Sequence, residues 1–253
     1  MGNFWTLAGF EYKKLLQKKV VWVTFIIMAV ICILAVCLPY WMNSYSIDGK
    51  TVSGYEMTKR SIKQSKEQSG TKIDDSYLKK AKEEPDSIPN SIYSFLFLIM
   101  DSSGKEIGDF NMADLYNTRK ELIEQRWGEA HLTKGETEYL ASLERQVEIP
   151  VVYEYSEGYD LMNSMMSFVC MMQILLAAVS IPSILADEHK GRTDQIILCT
   201  HFGKKVLYMV KGFVGVTFSV VSTLLLSLAV AIPIFAVYGF DGFTASIQQS
   251  APM

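Results

Sequence analysis

The sequence predicts an all-α membrane protein with three transmembrane helices and a mainly helical extracytoplasmic domain inserted between spans one and two. Three blocks without any charged residue carry this prediction, namely residues 20–47, 161–186 and 212–240. A helix needs about 20 apolar residues to cross roughly 30 Å of hydrocarbon, and each block is at least that long. Core helices of a soluble protein rarely run so far without a charge, so membrane insertion is the preferred interpretation.

The placement of lysine and arginine predicts the orientation of the spans. Basic residues gather beside span ends in two segments, at Lys13, Lys14, Lys18 and Lys19, and at Lys190, Arg192, Lys204, Lys205 and Lys211. Residues 41–160 instead hold 15 basic and 22 acidic residues, a net charge of −7. Because short cytosolic segments carry an excess of lysine and arginine, both basic segments are predicted to be cytosolic.

These patterns predict a multi-pass protein of the cell membrane with its N-terminus in the cytosol. The predicted segments are a cytosolic interfacial helix at 1–19, span one at 20–40, an extracytoplasmic domain at 41–160, span two at 161–186, a cytosolic coupling loop or helix at 187–205, span three at 206–238 and an extracytoplasmic tail at 239–253. None of the four cysteines falls in residues 41–160, so no disulfide is expected to stabilise that domain.

The first segment has the pattern of an amphipathic helix lying in the lipid headgroup layer. Its apolar side gathers Phe4, Trp5, Ala8, Tyr12, Leu15 and Leu16, while Lys13, Lys14 and Gln17 face away. Such a helix buries its apolar face at the membrane interface and turns its lysines toward anionic lipid, so membrane lipid is a predicted partner. A plain basic flank of the first span is the alternative.

The first half of the inserted domain gives mixed signals. Residues 44–68 are polar and rich in Lys, Ser and Gly, so their order is in doubt. A helix is predicted from Asp74 or Asp75 to Glu84, stopped by Pro85. The apolar run at 92–100 is too short to span a membrane, and its periodicity does not choose between a strand and a buried helical turn.

The second half of the inserted domain predicts a helical hairpin. Apolar residues recur at helical spacing between Asn111 and Trp127, and Thr133 with Glu136 forms a capping box before a second apolar face at Tyr139, Leu140, Leu143 and Val147. These two faces are expected to pack on one another, with Leu122 and Leu143 buried. After Pro150, residues 151–155 are expected to run extended toward the membrane, where tyrosines favour the interface.

Spans two and three carry features of helix packing. Span two contains five methionines at 162, 165, 166, 171 and 172, which suit an adaptable packing surface or contact with a greasy substrate. Pro182 removes one backbone hydrogen bond and so kinks or ends this span. Gly212, Gly215 and Ser219 lie along one side of span three and permit close helix approach.

The joint between spans two and three is short, charged and broken by glycine. Gly191 breaks one helix, Thr193 offers a cap for the next, and Ile196, Ile197 and Leu198 provide an apolar face. A second break follows at Gly203. The pattern predicts a short amphipathic helix at the membrane face that docks on a cytosolic partner.

This arrangement resembles the ABC-2 type permeases, the membrane subunits of ATP-driven exporters. The likeness covers most of the chain: a basic amphipathic start at residues 10–16, one span, a large external insertion, a second span and an acidic, glycine-containing joint. The joint residues that match the family pattern are Glu188, Gly191, Thr193, Ile197, Leu198 and Lys211. Two departures are Arg192, which separates the glycine from the threonine, and Gly203-Lys204, where many relatives have proline and a basic residue.

The resemblance implies a function and a set of partners. The joint would be the coupling helix that rests on a separate ATPase subunit, which would hold ATP and Mg, while this chain itself binds no cofactor. The family has six spans per permease and this sequence supplies three, so the chain is either a fragment or one half of a split permease. A second permease chain or copy is therefore a further expected partner, and no nucleic acid is expected.

The sequence lacks the motifs of several enzyme classes. It has no G-x-x-x-x-G-K-[ST] phosphate loop, no H-E-x-x-H and no G-x-S-x-G, so we predict a non-catalytic subunit. The histidines at 131, 189 and 201 lack metal-ligand spacing. One rival reading is a membrane-anchored sensor, receptor or accessory protein with an external binding domain; another is an intramembrane enzyme, for which the spans offer mainly Ser, Thr and Gln173.

Overall fold

The computed structural model of this 253-residue chain describes residues 2–47, 50–104, 111–146, 149–190 and 205–245. These residues are mostly helical and divide into two compact units. The apolar unit combines Met1–Asn43 with Leu161–Gly239, and the inserted unit combines Ser44–Asp160 with Phe240–Met253.

The helices and strands follow one another along the chain. In order they are α1 (Gly2–Leu16), α2 (Lys19–Met42), β1 (Ser44–Ile47), β2 (Lys50–Ser53), α3 (Gly54–Glu67), α4 (Asp75–Glu83), a 3₁₀ turn (Pro85–Ser87), α5 (Asn90–Ser103), α6 (Met112–Glu129), α7 (Lys134–Glu144), α8 (Glu157–Lys190) and α9 (Lys205–Tyr238).

Three helices of the apolar unit are long and apolar enough to cross a membrane. Within the described ranges these candidate spans are Lys19–Met42, Glu157–Pro182 and Val206–Tyr238. Large apolar side chains such as Ile26, Ile27 and Leu228 point away from the protein, as expected where lipid surrounds it. The prediction of a helical membrane protein with three spans is confirmed. Helix α8 continues through Pro182 to Lys190, so that proline does not end the helix.

The spans pack through apolar side chains drawn from all three helices. Their fully buried members are Cys32, Val169, Leu176, Leu226, Val230 and Ile234, and Met162, Met165 and Met166 pack against this cluster. Most of the methionine stripe therefore fills protein core, whereas Met171 is exposed. A Cβ at Gly215 would lie 4.0 Å from Ile181, but one at Gly212 would meet nothing within 4 Å. The expected close approach therefore involves Gly215 and not Gly212.

The polar stretch at the start of the inserted unit is folded, although the sequence left its order in doubt. Strands β1 and β2 form an antiparallel hairpin in which Tyr45 faces Val52. Ser53 then caps α3 by accepting a hydrogen bond from the Glu56 backbone N–H at 3.3 Å. Local pairing and a serine cap order this segment without a long apolar run.

The core of the inserted unit is built mainly by α4, α5 and α6. The predicted helix is present as α4, and Asp74 caps it by accepting from the Tyr77 backbone N–H at 2.9 Å. The apolar run at 92–100 is part of helix α5, since Ile92, Leu96 and Ile99 share one buried face. They pack with Leu115 of α6.

Helix α7 has the predicted cap but not the predicted burial. Thr133 and Glu136 form the capping box. None of the described residues of α7 is buried, and Leu143 is 37% exposed. An ion pair between Arg119 and Glu144 links α6 to α7. The predicted burial of Leu143 is therefore wrong, whereas Leu122 packs against the core cluster that includes Leu115.

The segment after Pro150 belongs to the core of the inserted unit. Its backbone pairs with residues 70–73, where Tyr153 N–H donates to Thr71 O at 2.8 Å and Gly70 N–H donates to Tyr153 O at 2.7 Å. This pairing holds Tyr153 and Tyr155 inside, at 1% and 4% exposure. The predicted extended run is therefore seen, and both tyrosines face protein and not lipid.

Candidate functional site

The structure describes the predicted coupling residues only in part. Gly191, Thr193, Ile196, Ile197 and Leu198 lie outside the described residues, in the stretch between the end of α8 and the start of α9. Glu188 belongs to the last turn of α8. Lys211 and the residues of α1 remain, and together they form a junction between α1 and α9.

Helix α1 packs along the first part of α9. The Phe4 and Phe213 rings meet at 5.7 Å between centroids, and Trp5 meets Phe213 at 5.8 Å. Further along, Ala8 and Leu15 are buried with Val210 and Val214. The apolar face of α1 was expected to lie in lipid, but most of it is covered by α9. Trp5 itself is 65% exposed and stays available to the membrane.

Two charged residues of opposite sign are buried at this junction. Glu11 of α1 and Lys211 of α9 are each only 4% exposed. Glu11 shares the buried face of α1 with Ala8 and Leu15, and its Oε1 lies 2.8 Å from Lys14 Nζ. An uncompensated charge costs several kcal/mol to bury, and Lys14 supplies the opposite charge beside Glu11.

Polar hydrogen bonds also connect the helices of the apolar unit. The Tyr12 hydroxyl of α1 hydrogen-bonds Thr217 Oγ1 of α9, and Thr217 Oγ1 also lies 2.7 Å from the Phe213 carbonyl oxygen. Between α8 and α9, Gln173 Nε2 donates to Ser222 Oγ at 2.9 Å and to the Ser219 carbonyl oxygen at 3.2 Å. Polar side chains inside spans commonly connect helices in this way. Gln173 is therefore used in helix packing.

Two lysines of the predicted interfacial helix face away from α9. Lys13 and Lys14 are both exposed, while Tyr12 between α1 and α9 is partly buried. The predicted division of α1 into an apolar and a basic side is therefore seen. Sequence reasoning missed the burial of Glu11, although the spacing of residues 4, 8, 11 and 15 places it on the same helical face.

The inserted unit contains a polar pocket of about 350 Å³. Lys66 in its lining forms an ion pair and a cation–π contact, since Lys66 Nζ lies 2.6 Å from Asp241 Oδ2 and 5.1 Å from the centre of the Tyr155 ring. A Cβ at Gly242 would lie 2.0 Å from the Tyr155 carbonyl oxygen. These contacts attach residues 240–245 to the rest of the unit and assign this region a structural role.

Burial in the core and hydrogen bonds at helix caps shift the pKa values of several groups in the inserted unit. Burial raises the pKa of Tyr77 to about 12 and also raises the pKa of Tyr116. Hydrogen bonds from Ser76 and from the Tyr77 backbone lower the pKa of Asp74, and those from Thr133 lower the pKa of Glu136. In the part of the chain that the structure describes, no group of three or more His, Cys, Asp or Glu is placed to hold a metal ion.

Comparisons of this chain with protein-family models, with curated proteins and with solved structures find no match.

Proposed function

We propose that this chain is a permease part of an ATP-binding cassette exporter of the ABC-2 type, in which a partner subunit hydrolyses ATP and this chain provides part of the membrane path. The resemblance of the N-terminal segment and of the joint at 187–205 suggests the family. The finer assignment of sides, with the N-terminus and the joint in the cytosol and the inserted unit outside, follows from the basic residues beside the spans.

The observation that carries the proposal is the length of the two helices that flank the joint. Helices α8 and α9 have 34 residues each. At 1.5 Å per residue each is about 51 Å long, whereas the hydrocarbon layer is about 30 Å thick. The joint therefore connects two continuous helices that reach beyond the hydrocarbon. In the proposed mechanism, a push on the joint is passed into these two helices.

The α1–α9 junction gives this movement a second point of attachment. Because Ala8 and Leu15 of α1 are buried with Val210 and Val214 of α9, α1 would move with the first part of α9. In the proposed mechanism, the apolar face of Ile196, Ile197 and Leu198 docks on the ATPase, and nucleotide-driven motion displaces α8, α9 and α1 together. Transport then depends on contacts across the whole apolar unit. The exported substrate is unassigned.

Three spans are half of the six that the family resemblance implies, so the proposal includes a second permease chain or copy. The ATPase partner would supply both ATP and Mg, and this chain would bind neither. The exposed apolar side chains of α2, α8 and α9 support membrane lipid as a further partner in this proposal.

The test compares ATPase binding by two variants of the full chain with the same chemical change. Ile197→Asp places a charge in the proposed docking face, where desolvating an unpaired ion costs several kcal/mol. Ile149→Asp places the same charge at a 63% exposed position of the inserted unit. An ATPase with a phosphate-loop sequence should co-purify with the Ile149→Asp variant and be lost from the Ile197→Asp variant. Retention by both variants would remove the coupling assignment.

A second pair of variants separates binding from coupling. Glu188→Gln at the end of α8 should leave the ATPase bound but reduce transport for each ATP hydrolysed, because the carboxylate is proposed to pass motion from the joint to the span. Glu138→Gln on the exposed face of α7 is the matched control. Full coupling in the Glu188→Gln variant would leave this carboxylate as an ordinary charge at a span end.

A further inference from the structure

A narrow apolar groove lies where the start of α2 meets α1 and α9. Its volume is about 200 Å³. Its walls are formed by Tyr12, Leu16, Val21, Trp22, Phe25, Thr217, Phe218, Val221, Ser222 and Leu225. Pockets for drug-sized ligands usually measure about 300–1,000 Å³, so this groove suits a thin ligand and not a bulky one.

The polar atoms along the groove are already engaged with one another. The Tyr12 hydroxyl bonds Thr217 Oγ1, and Ser222 Oγ bonds the side-chain amide of Gln173. No hydrogen-bonding ligand is needed to satisfy these three side chains. The remaining walls are aliphatic and aromatic. The chemistry of the lining therefore selects a hydrocarbon chain over a polar solute.

The groove adjoins a basic connection between two helices. Lys18 and Lys19 lie between the groove residues Leu16 and Val21, and Lys13 and Lys14 precede them on α1. Glu11 is the only acidic residue in residues 1–43, and it is buried beside Lys14. Residues 1–43 thus carry four lysines against one acidic residue, and the exposed Lys19 is two positions from the groove residue Val21.

Trp22 fixes the geometry of this corner. Its indole Nε1 donates a hydrogen bond to the Leu16 carbonyl oxygen at 2.7 Å, which spans the connection that carries Lys18 and Lys19. The same ring lines the groove and is 48% exposed. Tryptophan favours the boundary between hydrocarbon and headgroups. This preference favours a position of the groove at the boundary between acyl chains and phosphate groups.

We propose that this groove binds one acyl chain of an anionic phospholipid, with the lipid phosphate held at Lys18 and Lys19. The apolar lining supplies the chain site and the two lysines supply the preference for a negative headgroup. Because α1, α2 and α9 all contribute walls, a bound lipid joins the three helices. This inference rests on membrane insertion of the spans and not on the proposed exporter function.

The experiment uses Trp22 as a reporter in the full chain reconstituted into phosphatidylcholine vesicles. The other tryptophans are replaced by Trp5→Phe, Trp41→Phe and Trp127→Phe. Increasing fractions of phosphatidylglycerol or phosphatidylcholine, each with brominated acyl chains that quench tryptophan on contact, are then added. Half-maximal quenching should occur at a lower fraction of brominated lipid for phosphatidylglycerol than for phosphatidylcholine. Each lysine that contacts the headgroup should lower that fraction about fivefold.

Two charge variants test the headgroup contact. Lys18→Gln with Lys19→Gln should remove the preference for phosphatidylglycerol. Lys63→Gln with Lys120→Gln removes the same total charge from exposed positions of the inserted unit and should leave the preference intact. Equal quenching by both lipids before any lysine is changed would overturn the proposal, as would a preference that survives the loss of Lys18 and Lys19.

A groove-filling variant tests the chain contact. Val221→Phe adds volume at a half-exposed position of the wall, where the new ring is tolerated without displacing the core. It should abolish the headgroup preference while general quenching by surrounding lipid persists. A preference that persists would mean that lipid is attracted to the lysines without entering the groove. Absence of quenching by either lipid in the parent would mean that protein covers the groove, and it would also overturn the proposal.

Discussion

Leu96 and Leu143 are the same residue type in the same unit, but they have opposite surroundings. Leu96 of α5 is 1% exposed and lies in the core cluster with Ile92, Ile99 and Leu115. Leu143 of α7 is 37% exposed, on a helix without a buried residue among those described. Replacing each by alanine therefore removes the same atoms from two different environments.

The magnitude follows from the burial. Leu96→Ala should cost about 2–5 kcal/mol, because the cavity it leaves is enclosed on all sides. Leu143→Ala should change the free energy of unfolding by about 0.5 kcal/mol or less, since water already reaches that side chain. A domain with a stability of about 5–15 kcal/mol and no disulfide would lose a large share of it in the first case only.

Hydrogen exchange of the full chain in detergent, followed by mass spectrometry, measures this difference. A loss of 2 kcal/mol corresponds to about a thirtyfold faster exchange of α5 amides through global opening of the unit. Leu96→Ala should show at least that increase and Leu143→Ala almost none. Comparable increases for the two variants would refute the assignment of the core to α4, α5 and α6 and restore the helix hairpin that the sequence predicts.

Two further predictions concern a helix cap and a contact between spans. The Thr133 hydroxyl and backbone N–H lower the pKa of Glu136. Thr133→Ala should therefore raise that pKa toward its ordinary value in a carboxyl NMR titration, while the pKa of Asp74 stays unchanged. An unaltered Glu136 titration would contradict the capping box. Because the pKa of Glu136 is depressed in the folded state, the cap contributes its full stabilisation of the folded state above the unfolded-state pKa of this group. That stabilisation is lost as the pH falls through the folded-state pKa, so acid should fray the start of α7. For the spans, we expect a coupling free energy of about 0.6 kcal/mol, and at most about 1.7 kcal/mol, in a double-mutant cycle of Gln173→Leu and Ser222→Ala. The cycle is measured by unfolding in denaturing detergent. Additive effects would mean that the two side chains do not form a hydrogen bond.

For much of the candidate site, the sequence predicts the character of each helix face but not which other helix that face contacts. The sequence identifies α1 as amphipathic and separates Lys13 and Lys14 from its apolar side. It does not reveal that α9 covers that side, because lipid and a neighbouring apolar helix select the same residue pattern. The burial of Lys211 and the bond between Tyr12 and Thr217 likewise depend on which helix faces which.

The sequence by itself determined the features that local physics controls. The three spans follow from the length of charge-free blocks, since any charge left in hydrocarbon is costly. The caps at Asp74 and Thr133 follow from side-chain oxygens within three residues of the backbone N–H groups they accept from.

Only the tertiary structure decided the features that depend on distant neighbours. Helix α5 could have been a strand, and its state is settled by packing with α4 and α6. Leu143 fits an apolar helical face but is 37% exposed, whereas Tyr153 is held inside by backbone pairing with Thr71, 82 positions earlier in the chain. Periodicity tells which residues share a face, and burial follows from what that face meets.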